Sequence, residues 1–62
     1  LQELILVEKT ELDNRLEKLA AFMKTPEHAA ISEAEKHRIR SQRYFMQGYS
    51  HVLLERIDAF EG

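Results

Sequence analysis

The chain contains no cysteine and no tryptophan, one proline and two glycines. Without cysteine, neither a disulfide nor a thiolate metal site can staple it. The three histidines, His28, His37 and His51, contain no i, i+4 pair, so a helical zinc site is not expected, and no cofactor is implied. An excess of positive charge is also missing: the net charge is -2 with 32% charged residues. A generic coat for DNA or RNA polymers would usually carry a strongly basic surface, so the bulk charge argues against that class. No apolar run approaches the roughly 20 residues that span a bilayer. Leu4-Ile5-Leu6-Val7 is short and flanked by Glu3 and Glu8, unlike a signal peptide. The lack of cysteine fits a cytosolic setting. The first residue is Leu1, so the natural start is expected upstream of it.

What remains is helical periodicity. The 62 residues suffice for one small domain. Ile5, Leu12, Leu16, Leu19 and Met23 recur at the spacing of one helical face. A polar residue, Glu8 or Lys9, fills the position between Ile5 and Leu12, which weakens the stripe there. Helix 1 is expected over residues 2–24. Thr25-Pro26 ends it, because proline disfavours helical geometry at the residue before it. Thr25 can cap a new turn with Pro26 at its first position, giving a turn or short helix over residues 25–32. Ser32-x-x-Glu35 has the form of a reciprocal capping box, which starts a second helix at Glu33 and carries it to about residue 60.

The second helix reads as a heptad seam through Ile39, Gln42, Met46, Tyr49, Leu53, Arg56 and Phe60. Gly48 sits inside it at a cost of about 1 kcal/mol relative to alanine, which predicts that a crossing helix or a ligand approaches the backbone there. Phe22, Phe45 and Phe60 are expected in a core or an interface. The fold class is therefore all-α: an antiparallel two-helix hairpin. A lone hairpin of this size leaves much of its stripe in water, and no other staple exists. The hairpin is expected to assemble into a homo-oligomeric bundle.

Two polar groupings could carry chemistry. Lys36, Arg40 and Arg43 share a face, with Tyr44 beside them. Guanidinium groups bind phosphate bidentately, and a tyrosine ring can stack on a base. The alternative is a solvated face paired with Glu11, Asp13 and Glu17 of the first helix. Gln42, Met46, Tyr49, Ser50 and Arg56 form the second grouping. Polar tips there can read a ligand or set register at an oligomer interface, where Arg56 would snorkel to solvent. Asn14, within Asp13-Asn14-Arg15, can add a side chain to a pocket. No nucleophile, base and orienting group stand together, so the chain is not expected to be an enzyme.

Glu11-Leu12-Asp13-Asn14-Arg15-Leu16-Glu17-Lys18-Leu19-Ala20-Ala21-Phe22 follows the pattern ELDxxLEKLxxF. Gln42, Met46, Tyr49, Leu53, Arg56 and Ile57 follow QxxxMxxYxxxLxxRI. Both resemble the small phage-encoded helical hairpins that act as anti-Thoeris and anti-CBASS nucleotide sponges. The resemblance implies a phage immune-evasion protein acting in the cytoplasm of an infected bacterial host. Such a protein would bind a nucleotide immune signal between protomers and withhold it without cleaving it. Among short members, histidine-ADP-ribose is a plausible ligand; cyclic ADP-ribose isomers and cyclic dinucleotides remain open. The ligand-binding set it implies is Arg43, Met46, Tyr49, Ser50, Arg56, Gln42, Tyr44 and Asn14, with arginines on phosphates, aromatics on the base and amides on the ribose or base edge. The rival reading is a structural or adaptor coiled-coil hairpin that binds a protein through its seam.

Overall fold

The computed structural model describes residues 1–61; Gly62, which suits a chain end, lies outside them. The described residues are all-helical: α1 spans Gln2–Phe22, α2 spans Pro26–Ala30 and α3 spans Glu33–Glu61. At 1.5 Å per residue, α1 and α3 are about 31 and about 43 Å long. The described residues extend only 45 Å along their longest axis, so α1 lies alongside α3 and not end to end with it. No helix among the described residues is long and apolar enough to cross a membrane.

Local chemistry fixes where the helices stop. The amides of Lys24 and Thr25 bond back to Ala21 and Phe22, three residues earlier, which tightens the last turn of α1. The Thr25 hydroxyl donates to the Phe22 carbonyl at 2.6 Å. The regular helix therefore ends at Phe22, two residues before the expected boundary. Thr25 then caps α2, accepting from the His28 amide at 3.2 Å, with Pro26 where a missing N–H does no harm. Ser32 Oγ accepts from the Glu35 amide at 3.1 Å. The return half of the expected capping box is replaced: the Glu35 carboxylate accepts from Arg38 Nε at 2.7 Å. A cation one turn along on the same face outcompetes a neutral amide for that carboxylate.

The buried residues are few: Ile5 and Leu12 from α1, and Leu53 from α3, which at 1% is the most enclosed side chain. Leu16, Met46 and Ile57 pack against them. The inward stripe of α3 thus runs Ile39, Arg43, Met46, Ser50, Leu53, Ile57. This corrects the expected seam at alternate positions. Gln42, Tyr49, Arg56 and Phe60 are exposed, while their successors Arg43, Ser50 and Ile57 turn toward α1. Steps of four and three fit the sequence as well as steps of three and four. Two contacts decide between them. Ile57 packs against the core where Arg56 is charged, and Ser50 bonds to Asp13 and Lys9 of α1. Phe45 is likewise outside the core of this chain, at 71% exposure.

Candidate functional site

Three features meet along α3. The first is a polar bridge to α1. Ser50 Oγ donates to Asp13 Oδ1 at 2.6 Å, and Lys9 Nζ donates to Asp13 Oδ2 at 2.6 Å and to Ser50 Oγ at 3.1 Å. Lys9 fills the interval in the α1 stripe that was expected to weaken it, and instead ties the helices together. The Lys9 ammonium, and then the Ser50 hydroxyl, hold the Asp13 carboxyl below the usual carboxylate range, against a smaller upward push from partial burial. Ser50 is therefore engaged in the scaffold.

The second feature is a groove of about 570 Å³ on the side of α3 turned away from the core. Tyr44, Phe45, Gln47, Gly48, Tyr49 and Val52 line it. The Tyr44 and Phe45 rings meet edge to face with centroids 5.7 Å apart. Gly48 forms the floor: a methyl group built there would find nothing within 4 Å. The volume lies within the range that holds small ligands, and the lining contains no charged side chain. Such a surface can take the flat face of an aromatic ring, with the Gln47 amide at its edge.

The third feature is the distribution of charge. Lys36 pairs with Glu33 at 3.2 Å and Arg38 with Glu35 at 2.7 Å. Every ion pair among the described residues lies within one helix, so the basic run of α3 is not neutralised by acids of α1 as the solvated-face alternative had it. His51 stands 3.8 Å from Glu55 on the exposed surface. Among the described residues, no group of three or more His, Cys, Asp or Glu is placed to hold a metal ion.

The sequence-derived candidates divide among these features. Tyr44 and Tyr49 line the groove. Gln42 and Arg56 are exposed, each about one turn beyond the groove, on the same face as Tyr49. Met46 packs against the core, Ser50 is in the bridge, and Arg43 is half-buried on the side facing α1. Asn14 is exposed on α1. Phe45, Gln47 and Val52 were missed as groove residues; the signal that marks their location is the mid-helix Gly48. The Asp13–Ser50 bond links residues 37 positions apart and leaves no local trace in the sequence.

The family model described as Sequestin matches residues 1–59 of the chain. No curated protein matches it. No solved structure matches it either.

Proposed function

The chain belongs to the Sequestin family, and from that premise we propose that it binds and sequesters a nucleotide immune signal without cleaving it. The signal is of ADP-ribose type, such as histidine-ADP-ribose, and the protein is a phage immune-evasion factor of the infected cell's cytoplasm. Its working form is a homo-oligomer of antiparallel helical hairpins. The family name denotes sequestration, which supports a binding role. The observation that carries the nucleotide reading is the uncharged groove with Tyr44, Phe45 and Tyr49 along it and Arg56 exposed on the same face beyond Val52.

The chemistry of an ADP-ribose suits those parts. A purine ring is flat and apolar on its faces, so it gains from the tyrosine and phenylalanine surfaces. The diphosphate needs charge-assisted donors: Arg56 stands on the groove's side of α3, and Arg43, on the side facing α1, is a donor only to a ligand that reaches round the helix. Gln42 and Gln47 offer both donor and acceptor to a ribose or a base edge. No covalent step is required of the protein. Sequestration works by mass action: it succeeds when copy number and affinity hold free signal below the dissociation constant of the host effector.

The deciding experiment is recovery of bound ligand. Protein purified from cells producing the signal is denatured by heat, and the released molecule is identified by mass spectrometry. An intact ADP-ribose-type nucleotide is expected. ADP-ribose-type ligands should also stabilise the purified protein, by about 2.7 kcal/mol at a hundredfold excess over the dissociation constant, and AMP should stabilise it less. A cleaved product would overturn the sponge in favour of an enzyme. No heat by calorimetry with ADP-ribose, its cyclic isomers or cyclic dinucleotides would leave the adaptor reading, which the exposed apolar face of α3 favours.

A further inference from the structure

Gly48 has no explanation within its own chain. It sits in the middle of a 29-residue helix, where glycine is the least favourable residue apart from proline, and no atom of the chain occupies the space its missing side chain leaves. The residues around it, Phe45, Tyr49 and Val52, are large, apolar or aromatic, and turned to solvent. We propose that a second copy of this chain covers that face, with the two α3 helices crossing in antiparallel fashion at Gly48. This rests on the self-association proposed above, not on the identity of the ligand.

Three observations commit the face to a second copy. The first is the shape of the surface. Helix axes pack about 8–10 Å apart depending on the side chains at the contact, and a glycine at the crossing allows the near end of that range. The second is the symmetry of the stripe. An antiparallel pair centred between Gly48 and Tyr49 sets Phe45 of each copy against Val52 of the other and leaves no charged residue at the centre. The third is charge. In the first half of α3, Lys36, Arg38, Arg40 and Arg43 outnumber Glu33 and Glu35. In the second half, Glu55 and Asp58 outnumber Arg56. Antiparallel self-pairing sets the basic half on the acidic half; parallel pairing would set like on like. The arrangement also has a consequence for the groove. Helices that cross diverge on both sides of the crossing, so each Tyr44–Phe45 pair faces a wedge between the copies. The groove, open in one chain, becomes enclosed in two.

The test uses the full chain without nucleotide and reads mass by sedimentation across the micromolar range, with helicity by circular dichroism. The wild type is expected at twice the 7.3 kDa chain mass, or an even multiple of it. Phe45→Asp and Gly48→Gln are expected to weaken association at least tenfold. Gly48→Ala should improve the isolated helix and yet also weaken the dimer, a pairing of effects that free surface would not produce. Leu54→Asp, exposed about a third of a turn round α3 from Gly48, is expected to keep the wild-type mass. Should a variant lose helix as it dissociates, the concentration dependence of the melting temperature replaces mass as the readout, and it should vanish in Phe45→Asp but persist in Leu54→Asp. The proposal is overturned by a wild type of single-chain mass throughout. It is equally overturned by Phe45→Asp and Gly48→Gln that keep the wild-type assembly. A dimer that binds no nucleotide would refute the ligand reading and leave this interface standing; a monomer that binds one would do the reverse.

Discussion

Ser50→Ala removes the polar link between α1 and α3 while opening almost no space. The hydroxyl it deletes donates to Asp13 at 2.6 Å and accepts from Lys9 at 3.1 Å. A hydrogen bond to a charged group contributes about 1.5–3 kcal/mol when it is shielded. The Asp13 side chain is 43% exposed, so water replaces part of what the hydroxyl supplied, and the effect falls to about 1 kcal/mol. Alanine also has the better helix propensity, by up to about 0.5 kcal/mol, which offsets some of the loss. The net destabilisation expected is about 0.5–1 kcal/mol, or about 2–8 °C in a domain this small. A double-mutant cycle with Asp13→Ala removes the propensity difference and should return a coupling near 1 kcal/mol. The coupling carries its own pH signature. Asp13 binds its proton less tightly folded than unfolded, so its contribution is fully present above the ordinary aspartate value near 3.9. It is lost as pH falls from that value through the lower folded one. Thermal unfolding followed by circular dichroism, at one chain concentration throughout, measures both quantities. A coupling of zero at neutral pH, or one that survives full protonation of Asp13, would refute the bridge.

Leu53→Ala should cost about 2–5 kcal/mol, since Leu53 is the most enclosed side chain of a small core; a melting curve unchanged from wild type would show that the core lies elsewhere. Leu53→Asp goes further and should abolish cooperative unfolding, because the charge has no partner on that side. Thr25→Ala loses both the cap on α2 and the bond to Phe22, and should lower the urea midpoint by the equivalent of about 1 kcal/mol. Arg43→Ala and Arg56→Ala should each weaken titrated ADP-ribose binding by about 1.5–3 kcal/mol, with Tyr49→Phe costing less. Of the two arginines only half-buried Arg43 should also shift the melting temperature; unaltered binding in both variants would remove arginines from the phosphate site.

The sequence by itself determined the helices and their ends. Period-four-and-three apolar residues, Thr25-Pro26 and Ser32 are local signals, and local hydrogen bonds honour them. It also exposed the anomaly at Gly48, because helix propensity is a property of the single residue. It could not choose which face of α3 turns inward. The same positions satisfy two alternating spacings, and the choice falls to contacts between residues far apart in the chain: Ser50 with Asp13 and Lys9, and Ile57 beside the core of Ile5, Leu12 and Leu53. That choice moved Gln42, Tyr49 and Arg56 to the surface and drew Arg43 and Ser50 toward α1. It also brought Phe45 and Val52 together around Gly48 as a groove. A fraction of a turn about the helix axis changes which residues flank the shared inward positions Ile39, Met46 and Leu53, and only the neighbour across the interface fixes that rotation.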